Sequence, residues 1–330
     1  MTQDDTLLRV EHLKKNFYGA RKLFPLRRER PAVKAVNDVS FTIRRGETFG
    51  VVGESGCGKS TLGRTVLRLI EPTDGHIYFD GVDLRTLSAE EMRLKRREMQ
   101  IIFQDPYASL NPRMTVYETI KAPLDVFSHQ SEREKTARVE EMMRLVGLRE
   151  EFRFKYPHEF SGGQRQRIVI ARALIMNPTF VFCDEPVSAL DASVRAQVLN
   201  LMKRIQAELN LTYMFISHDL SVVRFLCDRV AVMYLGRIVE TATREELYEH
   251  PAHPYTQALL SSIPVPDTEV KINRIILKGE VPSPYNPPSG CHFHTRCPYA
   301  EKRCSQQVPE LRDIGGGHMA ACHLCASVKA

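Results

Sequence analysis

Gly53-Glu-Ser-Gly-Cys-Gly-Lys59-Ser60 is the stretch of this chain whose residue types and spacing most directly imply chemistry. It satisfies G-x-x-x-x-G-K-[ST] in full. Glycines at these intervals let successive backbone N–H groups curl round an anion, and a helix opening at Lys59 adds the positive end of its dipole. The expectation is a nucleotide-phosphate cradle over Gly53, Glu54, Ser55, Gly56, Cys57, Gly58, Lys59, Ser60 and Thr61. In it Lys59 reaches the β and γ phosphates and Ser60 helps to hold Mg²⁺. Cys57 fills a variable position and is expected to be inert. A second piece of the same chemistry is Thr179-Phe-Val-Phe-Cys-Asp184-Glu185, an apolar run ending in two acids. Asp184 would hold Mg²⁺ directly or through water, and Glu185 would polarise a water for attack on the γ phosphate. The bland reading is a pair of solvated acids at a strand end.

Ser161-Gly-Gly-Gln164 opens a helical stretch and is a second anion site by the same reasoning. One chain cannot easily bring two such sites to a single γ phosphate. Two chains arranged head-to-tail can, each supplying one.

Five of the eight cysteines lie between Cys291 and Cys325. A disulfide framework fits poorly with a long chain that starts MTQDDTLLRV, without a secretory signal, and is expected to stay in the cytosol. A metal reading is therefore called for. Cys291, Cys297, Cys304 and Cys322 are spaced C-x₅-C-x₆-C-x₁₇-C, whereas structural zinc favours C-x₂₋₄-C pairs, of which only Cys322-His-Leu-Cys325 is an example. Four thiolates on a proline-rich, strand-poor segment suit a 4Fe–4S cluster. Zinc is the alternative, with Cys325 or one of His292, His294, His318 and His323 as a ligand. Cys57, Cys183 and Cys227 are expected to be free thiols.

These residues need a scaffold. The 330 residues suffice for two domains, or one large domain with an extension, and 43% hydrophobic with 26% charged residues describes a folding globule. A net charge of +6 is too mild to imply a nucleic-acid partner. There is no run of eighteen apolar residues, so no transmembrane helix is expected. Strand patterns fall at 7–17, 32–43, 48–53, 76–80, 99–103, 180–184, 212–217 and 230–235, and helical ones at 59–70, 164–176 and 192–209. This alternation predicts an α/β domain with a largely parallel sheet. The basic stretch 20–31 reads as a loop or hairpin tip, and 105–160 as a helical insert. Past about 266 the texture turns proline-rich, so we place an ATPase-type domain over 1–265 and a small cysteine-bearing appendage over 266–330.

Taken together, the phosphate loop, the acid pair and the Ser-Gly-Gly turn resemble those of the ATP-binding cassette (ABC) ATPases, over nearly the whole of 7–263. The resemblance implies a P-loop NTPase fold with a RecA-like parallel core, an antiparallel β-subdomain and a helical subdomain. It implies that Phe17 stacks on adenine, with neighbouring Tyr18 as the alternative ring. It implies that Gln104 is the Q-loop glutamine, sensing Mg²⁺ and the lytic water. Ser161, Gly162, Gly163 and Gln164 match the signature motif, Ser188 to Asp191 the D-loop, and His218 the switch histidine at the γ phosphate. Phe160 stands where the signature usually begins with leucine. QDPYASLNPR at 104–113, HPYTQALLSSIP at 253–264 and GEVPSPYNPPSGCHFHTRCP at 279–298 look like the oligopeptide and dipeptide importer ATPases, F-type subunit, some of which carry a 4Fe–4S cluster on this cysteine pattern.

The partners so implied are a second, D-type ATPase subunit, two transmembrane permease subunits and a periplasmic or lipid-anchored solute-binding protein. The place so implied is the cytoplasmic face of the inner membrane. Glutathione, opines and nickel are alternative cargoes of such relatives. A soluble cassette ATPase of the translation or DNA-repair kind, and a metal-binding regulator on a dead cassette, are the competing classes. A single cassette without a heptad run argues against the first, and intact Lys59, Asp184, Glu185 and His218 against the second. The cysteine segment lies far in sequence from every nucleotide motif, so its role is expected to be structural.

Overall fold

The computed structural model describes residues 5–19, 32–263 and 274–325. The stretch 20–31 and the boundary expected near 266 lie outside the described residues. The chain folds as two compact units: one comprises Met1–Asp5, Arg44–Thr48 and Thr86–Phe215, the other Thr6–Ile43, Phe49–Arg85 and Ile216–Ala330.

In the first unit, strands Met99–Ile102 and Phe180–Asp184 run parallel, with Met99 opposite Phe180 and Ile102 opposite Cys183. Strand Thr212–Ile216 follows next in the order. Every residue of Phe180–Asp184 and of Thr212–Ile216 is buried, as expected of parallel strands covered on both faces. Such strands read as apolar runs rather than as alternations, which is why FVFCD carries its acid only at the end. The stretch expected to be helical supplies Val116–Phe127 and Glu132–Leu145. Each begins with a capping box, Thr115 with Glu118 and Ser131 with Glu134, worth about 1 kcal/mol per cap. Lys135 meets Asp125 at 2.7 Å and Lys121 meets Glu132 at 2.9 Å. Pairs like these, open to water on the carboxylate side, contribute roughly 0–1 kcal/mol each. The larger contribution comes from the buried faces, Val116, Ile120 and Leu124 on one helix and Val139, Met142 and Met143 on the other.

In the second unit, Thr6–Tyr18 lies between Ala32–Arg44 and Asp74–Phe79 in an antiparallel-type sheet that ends on Val82–Asp83. Strand Thr48–Val52, buried throughout, enters this unit at Phe49 and pairs parallel with Arg229–Tyr234. Arg229–Tyr234 turns back into Arg237–Thr243. Two short strands of the cysteine-bearing segment, Met319–Ala320 and Arg312–Asp313, continue from there, Glu240 pairing with Ala320. The parallel pairings, the antiparallel subsheet and the helical segment bear out the expected fold class. The helix expected over 59–70 ends at Val66. Arg68 then adopts a left-handed φ of +51°, and Pro72 follows two residues after Ile70. No helix among the described residues is long and apolar enough to cross a membrane.

Candidate functional site

The phosphate loop leaves the buried strand Thr48–Val52 and runs into helix Lys59–Val66, capped by Gly58 in a left-handed conformation. Glycine is required at both ends of the loop. A Cβ on Gly53 would meet the Met233 carbonyl oxygen at 2.2 Å, and one on Gly58 the Ala35 carbonyl oxygen at 2.0 Å. Ser55 and Gly56 are exposed at the crown, whereas Ser60 and Thr61 are half-buried in the first helical turn. The Lys59 side chain is buried and curls back over its own loop. Its Nζ donates to the carbonyl of Gly53 at 2.7 Å and to that of Glu54 at 3.0 Å. A cation held by two loop carbonyls is available to exchange them for phosphate oxygens. Cys57 is buried, and that burial pushes its thiol above the usual range against the pull of Lys59, in keeping with an inert side chain.

Glu54, the second residue of the loop, is held from behind. Its N–H donates to the Tyr255 hydroxyl at 2.8 Å. Its carboxylate takes a two-pronged hydrogen bond from Arg296, at 2.8 and 3.1 Å, and Arg296 also donates to the Tyr234 hydroxyl at 3.4 Å. Sequence reasoning singled out none of Tyr234, Tyr255 and Arg296. No local pattern could have found Arg296, which lies 242 residues from Glu54. The cysteine segment, far in sequence from the nucleotide motifs, thus meets the phosphate loop, because Arg296 immediately precedes Cys297.

In the other unit, Asp184 is buried at the end of its strand. Glu185 follows with a φ of +49°, a left-handed conformation that costs a non-glycine residue about 1–3 kcal/mol and is concentrated at functional sites. Gln104 Nε2 donates to Glu185 Oε2 at 3.2 Å, so these two expected site residues are brought together. Ser161 caps helix Gly162–Leu174 and forms a capping box with Gln164: the Gln164 N–H reaches Ser161 Oγ at 3.4 Å, and Gln164 Oε1 accepts the Ser161 N–H at 3.1 Å. Gly162 sits exposed at the tip, and Gly163 is buried, where a Cβ would meet Val194 Cγ1 at 2.3 Å. Phe160 is buried with its ring edge toward Phe152 at 5.7 Å, so the departure from leucine is absorbed by packing. Asp191 is the N-cap of helix Ala192–Leu209, accepting from the Val194 N–H at 3.0 Å and the Ser193 hydroxyl at 2.9 Å. These bonds, the first above all, hold its carboxyl below the usual range.

The two remaining expected residues lie in the second unit. His218 is exposed just before Asp219, which caps helix Leu220–Leu226. Phe17 is exposed near the end of strand Thr6–Tyr18 with Lys15 Nζ 5.0 Å from its ring centre, and Tyr18 is more exposed still. Neither ring is built into a core, and either is open to stack on a base.

Among the cysteines, Cys304 and Cys322 are buried and Cys291, Cys297 and Cys325 half-buried; none forms a disulfide. The Cys291 N–H donates to the Cys304 carbonyl at 2.8 Å, and Arg312 donates to the carbonyls of Cys322 and Cys325 at 3.2 and 2.7 Å. Burial pushes the Cys291 thiol up to about 11, with Cys304, Cys322 and Cys297 adding to the rise. Among the described residues, no group of three or more His, Cys, Asp or Glu that could hold a metal ion is found.

Comparison with known proteins agrees with this geometry. Residues 36–188 match the family pattern described as ABC transporter, and residues 239–304 match that of the oligopeptide/dipeptide transporter C-terminal region. The chain is 55% identical to the oligopeptide transport ATP-binding protein AppF of Bacillus subtilis, over 97% of this chain and 98% of that one. It is 50% identical to the probable peptide ABC transporter ATP-binding protein y4tS of Sinorhizobium fredii, over 99% and 92%. Among solved structures it is similar to cbiO1 from Clostridium perfringens, part of the transporter complex cbiONQ, with a TM-score of 0.66 and 29% identity over 74% of this chain and 92% of that one. It is also similar to the cassette MJ0796 in a dimeric post-hydrolysis state bound to ADP and Pi, with a TM-score of 0.63 and 28% identity over 72% and 98%.

Proposed function

Because the chain belongs to the ATP-binding subunits of ABC transporters, we propose that it is the ATP-hydrolysing subunit that powers import of di- or oligopeptides across the cytoplasmic membrane. One observation carries the cargo class: a complete phosphate loop and the oligopeptide/dipeptide C-terminal region occur in the same chain, and at Arg296 and Glu54 they are bonded to each other. No described helix can cross a membrane, so the path for the peptide belongs to partners. Those we propose are two permease subunits, a second ATPase subunit of the D type and a periplasmic or lipid-anchored solute-binding protein, with the chain held at the inner face of the membrane. The division into a cassette over 1–265 and an appendage over 266–330 belongs to the same proposal. The experiment is isolation of the complex from membranes with identification of co-purifying subunits and of the ligand carried by the binding protein. Recovery of the chain alone, with no membrane subunit, would overturn the reading.

In this mechanism the loop amides of Gly53 to Thr61 and Lys59 bind the triphosphate, and Phe17 or Tyr18 stacks on adenine. Ser60, Gln104 and Asp184 would hold Mg²⁺, which neutralises charge on the β and γ phosphates when bound. Glu185 takes a proton from the lytic water; its bond to Gln104 fixes the carboxylate and connects it to the segment leading into the helical insert. His218 contacts the γ phosphate. Ser161, Gly162, Gly163 and Gln164, with Asp191 behind them, meet the nucleotide held by a second cassette, so that each ATP is shared between two chains. Closure is then driven by γ-phosphate contacts and released on hydrolysis, as in other nucleotide switches.

For the cysteine segment we propose a 4Fe–4S cluster on Cys291, Cys297, Cys304 and Cys322. Four thiolates on a proline-rich, strand-poor segment suit it, and of the C-x₂₋₄-C pairs that structural zinc favours the segment has only Cys322 with Cys325. When bound, it would cross-link a segment that has little core of its own.

A further inference from the structure

The turn Cys291–Cys297 is built around Phe293, whose ring is almost wholly buried. It packs edge-on against Tyr234 at 5.3 Å and tilted against Tyr255 at 5.4 Å. The N–H groups of both Arg296 and Cys297 donate to the Phe293 carbonyl at 3.0 Å, so the arginine emerges from a tight, anchored turn. Its side chain is 8% exposed, and its guanidinium grips Glu54 with two N–H groups in the fork geometry that suits a carboxylate. Tyr255 fixes the Glu54 backbone from the same side. An unneutralised carboxylate at the second position of a phosphate loop would repel the triphosphate and pull the loop toward solvent.

We propose that Arg296 is a positioning residue for the phosphate loop: by neutralising and holding Glu54, it lets the C-terminal cysteine segment set the affinity of the loop for nucleotide. This rests on the assignment of residues 53–61 to the nucleotide, which Lys59→Ala tests separately. The cysteine segment is then part of the nucleotide site's support, and a change in that segment is felt as a change in ATP binding.

The test is titration of the full-length chain with a fluorescent ATP analogue and Mg²⁺, together with KM and kcat for ATP in the membrane complex. Arg296→Ala should raise Kd about tenfold or more, the worth of a partly buried charge-assisted bond, and should raise KM far more than it lowers kcat. Arg296→Lys keeps the charge and loses the fork; it should weaken binding by less, and it carries the test should the alanine variant fail to fold. Glu54→Gln alone is the reference for the double variant, because Glu54 itself belongs to the loop. Combined with Arg296→Ala, it should recover most of the loss, because the charge needing neutralisation is gone. Cys297→Ser should raise Kd in the wild-type background and add nothing in Arg296→Ala.

An unchanged Kd in Arg296→Ala and Arg296→Lys, with binding abolished in Lys59→Ala, would overturn the proposal. So would a loss that Glu54→Gln does not recover, or a Cys297→Ser effect that adds to that of Arg296→Ala. Normal binding in Lys59→Ala would instead sink the assignment of the nucleotide site.

Discussion

Gln104 Nε2 donates to Glu185 Oε2 at 3.2 Å, and the glutamate that accepts this bond sits in a left-handed conformation directly after the buried Asp184. A strained residue held by a glutamine from a different segment has the features of a positioned general base. Glu185→Gln should therefore keep nucleotide binding and cut hydrolysis by about 10²–10⁴, the usual worth of such a base, with closed dimers accumulating. Steady-state turnover and size-exclusion chromatography with ATP check this. Near-normal turnover would remove Glu185 from the role.

Ser161 does two things that substitutions can separate. As N-cap it accepts the Gln164 N–H, so Ser161→Ala should cost about 1 kcal/mol of stability. Ser161→Asp keeps a good cap and should unfold near the wild-type temperature. If the proposed shared site holds, it should nevertheless lose ATP-induced dimerisation, because it would set a carboxylate against the γ phosphate held by a second cassette. Thermal unfolding and light scattering read the two effects independently.

His318 is buried, with Nε2 2.7 Å from Glu240 and Nδ1 3.6 Å from Glu246. The hydrogen bond with Glu240 raises its pKa above the usual histidine value, so the folded state binds the proton more tightly than the unfolded chain does. That stabilisation is complete below the ordinary value near 6.5 and is lost as pH rises through the folded value. The stability difference between wild type and His318→Gln should accordingly be larger at acid than at alkaline pH. A difference that grows with pH would contradict this assignment. His253, also beside Glu240, is pushed down to about 4 by burial and stays neutral over the range tested.

The cysteine segment is tested by anaerobic purification with metal analysis and visible spectroscopy. About four irons per chain and a brown colour, both lost in Cys297→Ser, are the expected result. Stoichiometric zinc in a colourless protein would favour the alternative.

Much of this could be read from the sequence because its physics is local. Gly53 to Ser60 announces its own backbone shape, and FVFCD announces a strand buried on both faces. Where the cause is distant, nothing was legible. Glu54 belongs to the phosphate loop and Arg296 to the importer-like segment 279–298, and only the fold shows that the two are bonded. Strand Arg237–Thr243 was missed although its signal is local. Leu235 and Gly236 have φ of +42° and +79°, the two positive values that a type I′ hairpin turn needs, and the glycine after an apolar run was the clue. The helix from Lys59 reads longer in the sequence than in the fold because the apolar spacing persists through Ile70 while the backbone has already turned at Arg68.

The most direct measurement is uptake of a labelled peptide into proteoliposomes that hold the membrane-purified complex, with binding protein outside and ATP inside. Peptide accumulation should depend on ATP, be lost when this chain carries Glu185→Gln or Lys59→Ala, and return with the wild-type chain. Accumulation that is unchanged in those variants, or a complex that hydrolyses ATP while moving no peptide, would contradict the account.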